Sequence, residues 1–292
     1  MEKYKFKVQE AKRVRIIIDT DADCEADDQF AIAHALMTPL FDIRGIIAEQ
    51  FGCEGSVERS FNEALKVMKL MGISGIPVLK GEEKPLEAET SVTENEAVDF
   101  IINEALKEDS RPLYVLCQGA ITNVAYALNQ CPEIAERFTC IWIGGGFYPE
   151  GGREFNLCND INGANAVFKS KVNLWQVPMS CYTTMQVGYA ELQAKVMPCG
   201  EIGKYLFEQM IELGLEQHWI AGESWSLGDS PAIGLALNPG CGRYNVRKAP
   251  VFDKDGYYKD CESNRAIRVY YSVDSRYILE DFFAKLSINY KE

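Results

Sequence analysis

The sequence predicts one α/β domain spanning residues 1–292, built on a mainly parallel central sheet flanked by helices. Three observations carry that expectation. Short apolar, β-branched runs recur along the chain. Segments with helical spacing separate them, the alternation that builds βαβ units and a parallel sheet. No internal repeat, low-complexity tract or Pro/Ser-rich linker divides the chain.

Taken in order, residues 14–18 read as a buried strand and 30–37 as a helix with apolar residues at helical spacing. Residues 43–48 form the second strand, followed by a helix over 57–71, and 77–79 a short third strand. A helix over 97–106 leads to a strand at 113–117 and a helix at 123–128, and strands at 140–143 and 172–177 complete six. Helical patterns return at 202–213, 232–237 and 277–286, with an extended segment at 267–272. In parallel sheets of this kind ligands bind beyond the carboxyl ends of the strands. That rule directs attention to residues 19–28, 118–123 and 144–156.

With 30 Lys plus Arg against 43 Asp plus Glu, the formal charge is −13. Such a surplus of carboxylates repels phosphate backbones and anionic lipid, which argues against a nucleic-acid partner or a membrane-surface role. No uncharged apolar run approaches the ~18 residues a spanning helix needs. The first residues lack the apolar core and small-residue cleavage site of a secretory leader. The ten cysteines contain no C-x-x-C pair and read as reduced, mostly buried small hydrophobes, pointing to the cytoplasm.

The chemistry concentrates after the first strand. Residues 19–28, Asp-Thr-Asp-Ala-Asp-Cys-Glu-Ala-Asp-Asp, hold six acids and no base. A solvated loop ending in an Asp helix cap explains Asp27 or Asp28, but not Asp19 and Asp21 at the buried end of a strand. Six like charges this close repel unless protonated or neutralised, and a hard divalent ion with oxygen ligands, calcium or magnesium, meets that need. Haloacid-dehalogenase-like phosphatases also place Asp-x-Asp after a first strand, which would make the chain a magnesium-dependent phosphohydrolase acting through Asp19. Ala22-Asp23 does not supply their Gly-Thr-like loop, and the doubled acid entering a helix is not their pattern.

The sequence resembles the inosine-uridine preferring nucleoside hydrolases more closely. Their signature is a strand running into Asp-x-Asp-Pro-Gly-x-Asp-Asp and an apolar helix. Ile16-Ile17-Ile18-Asp19-Thr20-Asp21 matches the first half, and Asp27-Asp28-Gln29-Phe30-Ala31 the second. Pro-Gly is missing and the intervening segment is two residues longer, so anchoring on the helix would put Asp23 in the place of Asp21. Three further segments match in the same order: Gln118-Gly119-Ala120-Ile121-Thr122-Asn123; Gly144-Gly145-Gly146 with Glu154-Phe155-Asn156; and Gly228-Asp229-Ser230-Pro231 entering an apolar helix.

The resemblance implies calcium-dependent hydrolysis of the N-glycosidic bond of ribonucleosides to free base and ribose, in a nucleoside hydrolase-like fold. It implies calcium held by Asp21, Asp28, Asp229 and the backbone carbonyl of Gln118, with Asp21 also the general base. Asp27, Glu154 and Asn156 would bind ribose hydroxyls. It further implies a purine or pyrimidine salvage role and a homo-oligomer, dimer or tetramer. Two departures bear on the substrate. The family's Asn after the second strand is absent, leaving Gln50 or Glu49 to substitute. The His that normally precedes the late Asp is here Gly228, so the usual acid for the departing base is missing. Of the two histidines, His34 reads as a packed helix residue, which leaves His218 as the candidate acid, with a base that departs without protonation as the alternative, and the nearby Trp225 as a stacking surface for the base. A calcium-dependent nucleoside- or sugar-binding protein without turnover is the non-enzymatic alternative.

Overall fold

The computed structural model describes residues 3–218 and 222–291. Six strands, β1 (Val14–Thr20), β2 (Phe41–Ala48), β3 (Val78–Lys80), β4 (Leu113–Cys117), β5 (Thr139–Ile143) and β6 (Asn173–Val177), lie within a few residues of the expected ones. Two short ribbons follow, β7 (Gln186–Gly188) with β8 (Ser224–Ser226), and β10 (Val251–Phe252) with β11 (Tyr258–Lys259). Strands β9 (Gly242–Lys248) and β12 (Ala266–Val273) extend the main sheet, whose order is β3-β2-β1-β4-β5-β6-β12-β9. All pairs are parallel except β12 with β9.

The helices are α1 (Asp28–Leu36), α2 (Ser56–Leu70), α3 (Glu96–Leu106), α4 (Thr122–Gln130), α5 (Phe155–Asn159), α6 (Ile161–Lys169), α7 (Met179–Tyr182), α8 (Tyr189–Lys195), α9 (Gly200–Glu216), α10 (Ser230–Leu237) and α11 (Ser275–Tyr290). They cover both faces of the sheet. Side chains of a strand alternate between faces, so Ile16 and Ile18 join the core formed with α1, α2, α9, α10 and α11, while Ile17 joins the core formed with α3, α4 and α6. All three isoleucines are fully buried, each contributing roughly 1.5–3 kcal/mol of hydrophobic stabilisation. A one-residue slip of β1 would send each of these side chains to the opposite core.

Strand order places the site. From β1 the chain builds outward through β2 and β3, then returns to the other side of β1 and builds through β4, β5 and β6. The order reverses between β1 and β4, and a crevice opens at the carboxyl ends of the strands at such a switch point. Asp19 and Thr20 end β1, and Gln118 follows the last residue of β4.

Candidate active site

The N-termini of α1 and α10 meet at this crevice. Neither Asp27, at the start of α1, nor Asp229, at the start of α10, caps its own helix with its side chain. Both carboxylates instead turn into a shared cavity, where one oxygen each of Asp27, Asp28 and Asp229 lies within 4.8 Å of the others. Asp27 Oδ2 accepts from the Asp229 N–H at 3.2 Å, and the Thr20 hydroxyl donates to Asp28 Oδ1. Asp21 lines the same cavity, held in place by Gly119, where an added Cβ would fall 2.6 Å from the Asp21 carboxyl carbon. All four aspartates are buried.

The alternative anchor resolves geometrically. Asp23 adopts a left-handed backbone (φ 77°) and its side chain turns outward to pair with Arg59 at 2.7 Å. Asp21, one residue beyond β1, lines the cavity, and Asp23 does not.

The electrostatics follow from burial. Asp28 is pushed up to about 8, by loss of water first and by Asp27 second, and Asp27 rises to about 6 by burial. Burial followed by repulsion raises Glu25 to about 8, and holds Asp21 and Asp229 well above the usual carboxylate range. No Lys, Arg or His is among the described residues lining the cavity. Two helix N-termini favour negative charge, but five converging carboxyls call for a cation. An all-oxygen donor set fits a hard divalent ion. The Gln118 side-chain amide, buried at the cavity wall with both polar atoms unpartnered, adds an orphaned donor and acceptor.

Across the cavity stand Glu154, which caps α5, and Asn156 in its first turn. Asn156 Nδ2 donates to the backbone carbonyls of Gln118 (3.1 Å) and Ile143 (3.0 Å), leaving its side-chain oxygen for a ligand. Glu154 begins α5, accepting from the N–H groups of Asn156 and Leu157. A second, larger cavity of about 460 Å³ shares Glu25, Asp27, Glu154, Phe155, Tyr182 and Gly228 with the first, and Trp225, buried on β8, lines it.

Asp21, Asp27, Asp28, Gln118, Glu154, Asn156 and Asp229 are thus brought together, with Trp225 in the adjoining chamber. Two candidates are not. Gln50 is turned away, donating to Thr122 Oγ1 and the Asn159 carbonyl, both at 3.2 Å, and accepting from Gly52 N–H. Its neighbour Glu49 is buried in bonds to Asn123. His218 lies exposed after the end of α9 and lines neither cavity. Thr122 does not cap α4 but donates to Asp160 Oδ2. Sequence reasoning passed over Glu25, which was in view within the acid run, and Tyr182. The available signal for Tyr182 was its position just beyond the carboxyl end of β6, where ligand sites lie.

Residues 16–276 match the profile of the inosine-uridine preferring nucleoside hydrolases. Among curated proteins, the chain is 25% identical over 237 residues to the pyrimidine-specific ribonucleoside hydrolase RihA of Citrobacter koseri, covering 72% of this chain and 74% of the relative. The fold is similar to that of the purine-preferring ribonucleoside hydrolase from Gardnerella vaginalis, with a TM-score of 0.80 at 21% identity over 94% of this chain and 98% of that one. A plant nucleoside hydrolase gives a TM-score of 0.79 at 20% identity, with the same coverage. An α/β sheet with an acid-lined crevice at its switch point provides a site suited to a hard cation. The chain belongs to the inosine-uridine preferring nucleoside hydrolase family and is a ribonucleoside hydrolase. This removes the haloacid-dehalogenase-like alternative.

Proposed function

We propose that the protein is a calcium-dependent hydrolase that cleaves the N-glycosidic bond of ribonucleosides to free base and ribose. The convergence of Asp21, Asp27, Asp28 and Asp229 on one buried cavity, faced by Glu154 and Asn156, carries this reading. Asp28, Asp229, Asp21 and the Gln118 carbonyl would hold the ion, with Asp27 as a further oxygen donor from the tight trio. Bound there, calcium would supply charge neutralisation and a Lewis acid for water and a ribose diol.

Glycosidic cleavage proceeds through an oxocarbenium-like transition state. The carboxylates of this cavity stabilise the positive charge that develops on the sugar ring. Asp21, which lines the cavity beside the Asp27, Asp28 and Asp229 trio, takes the proton of the attacking water. The Asn156 side-chain oxygen and Glu154 orient the ribose hydroxyls. The larger chamber, walled by Phe155, Tyr182 and Trp225, receives the base.

The test is incubation with a panel of purine, pyrimidine and nicotinamide ribosides, with and without a calcium chelator, scoring free base by chromatography. Chelator-sensitive release names the leaving group. Release that persists in chelator and is unaffected by added calcium would overturn the metal dependence. A homo-oligomer and a salvage role are carried forward from the family resemblance, and a cytoplasmic setting from the cysteine usage, to be checked by sedimentation velocity, growth on nucleosides and fractionation. Among the described residues no helix is long and apolar enough to cross a membrane.

A further inference from the structure

Glu154 has no acceptor capacity to spare. A carboxylate offers about four lone-pair sites, and all are taken. Oε2 accepts from the N–H groups of Gly145 (2.8 Å) and Leu157 (2.9 Å), and Oε1 accepts from the N–H of Asn156 (3.2 Å) and the Tyr182 hydroxyl (3.0 Å). Three of these donors are backbone groups fixed by α5 and by the turn after β5. Only the Tyr182 hydroxyl can leave without unfolding anything. It occupies the place a ribose hydroxyl must take if Glu154 is to bind the sugar.

Tyr182 is also positioned for a second task. It lines both the acid cavity and the base chamber. Its ring lies against Gly228, where an added Cβ would be 3.1 Å from Tyr182 Cδ2 and 3.3 Å from Asp27 Oδ2. The ring therefore stands in the space that a side chain at position 228 would need. Its backbone is anchored from β8, with the Ser226 hydroxyl donating to the Tyr182 carbonyl at 3.0 Å, so a released hydroxyl has a fixed pivot.

We propose that Tyr182 is a substrate-responsive donor: a ribose hydroxyl displaces its hydroxyl from Glu154, and the freed hydroxyl hydrogen-bonds the departing base. This rests on the hydrolase reading above. As the C1′–N bond breaks, its electron pair moves onto the base, and the Tyr182 O–H donates to the atom where that charge collects. The O–H bond itself stays intact. The proton of the attacking water goes to Asp21, and the released base takes its proton from solvent. Burial and the neighbouring Glu154 hold the phenol far above its ordinary pKa, consistent with donation without transfer. The device places a donor on the base side only when the sugar is seated, which couples ribose recognition to activation of the leaving group.

Tyr182→Phe removes one oxygen and keeps the ring, so it isolates the claim. Ribose affinity, measured by calorimetry with calcium present, is expected to rise about threefold to tenfold because the competitor for Glu154 is gone. With a hydrolysed riboside, kcat is expected to fall about tenfold or more while KM also falls, the signature of a group that competes in the ground state and helps in the transition state. A residue that merely supports the fold would raise KM or leave both unchanged. Unchanged or weaker ribose binding, an undiminished kcat, or no ribose binding by either protein overturns the proposal. If the parent hydrolyses no riboside, the hydrolase reading is what fails, and the ribose calorimetry still decides the competition between Tyr182 and sugar for Glu154.

Discussion

The two ends of α1 bury carboxylates in opposite ways. At its N-terminus, Asp27 and Asp28 join Asp21 and Asp229 in a cavity whose described lining holds no basic side chain. In its last turn, the buried His34 lies 2.7 Å from Asp281 of α11, and Lys285 donates to the same carboxylate at 2.5 Å and to the Thr38 hydroxyl at 2.9 Å. The protein itself completes the second cluster: one carboxylate, one cation and an imidazole, with Asp281 held below its ordinary pKa by His34 and Lys285 against the opposing effect of burial. It leaves the first incomplete, and the acids there are pushed upward. A buried charge that the chain neutralises serves the fold, whereas one that it leaves exposed to its own repulsion is held for a ligand. Asp160, although burial raises its pKa, also has its partners within the protein. Asp160 accepts from Thr122 Oγ1, Leu86 N–H and Gly163 N–H, so its charge is fully engaged within the protein.

The sharpest way to break the comparison is to remove acids from the cluster at the N-terminal end. Asp21→Ala is expected to abolish turnover, and Asp28→Asn to lower kcat by about a thousandfold or more. In chelator, Asp28→Asn should nonetheless melt no lower than the parent, because one repelling carboxylate has gone. Near-normal activity of Asp21→Ala would remove that residue from the mechanism, and a large drop in melting temperature of metal-free Asp28→Asn would show that the cluster is structural.

Calcium titration sharpens the contrast next. An ion at about 100 times its Kd stabilises the folded chain by about 2.7 kcal/mol, visible as a higher melting temperature than in chelator. That increment should shrink in Asp28→Asn and persist in Asp281→Asn. Equal increments in both variants would place the ion elsewhere.

The ends also answer pH in opposite senses. Without metal, Asp27 and Asp28 hold protons more tightly folded than unfolded, so the stability they contribute is present at low pH and lost as the pH rises from about 3.8 towards 8. His34 is held below its ordinary 6.5 by burial, so its end loses stability as the pH falls below that value. Calcium needs ionised carboxylates and should shift the melting optimum to higher pH. Parallel curves with and without calcium would count against the ion pairing with these acids.

Smaller effects follow at the completed end and on the surface. Asp281→Asn leaves Lys285 with half its partners and is expected to cost roughly 1–3 kcal/mol in urea unfolding with kcat unchanged. The Asp23–Arg59 pair is exposed, so Asp23→Ala should cost no more than about 1 kcal/mol and leave kcat within about threefold. A collapse of activity in Asp23→Ala would return the general-base role to that residue.

Much of this was legible in the chain itself. Strands β1 to β6 announce themselves because buried parallel strands must be apolar on both faces, as Ile16 to Ile18 are. The acid run after β1 signals a cation because no helix cap explains Asp21, which lines the cavity, whereas Asp19 accepts from Asn123 inside the fold. Strand β9 went unread, since Gly242–Lys248 is a largely exposed, polar edge strand whose pairing with β12 is a long-range choice. Helices α5 and α6 were also missed: Glu154, read only as a ribose-binding residue, caps α5 with its own carboxylate.

What the sequence determined by itself was that a doubly buried strand, β1, runs straight into the acid run, because a strand covered on both faces must be apolar at every position; that Asp21 and not Asp23 enters the cavity came with the outward turn of Asp23. Only the tertiary structure decided that Gln50 turns away, that His218 stands outside, and that Tyr182 from beyond β6 meets Glu154 and Gly228. Those outcomes depend on which distant backbone groups compete for a side chain's hydrogen bonds, and that competition exists only once the loops have converged.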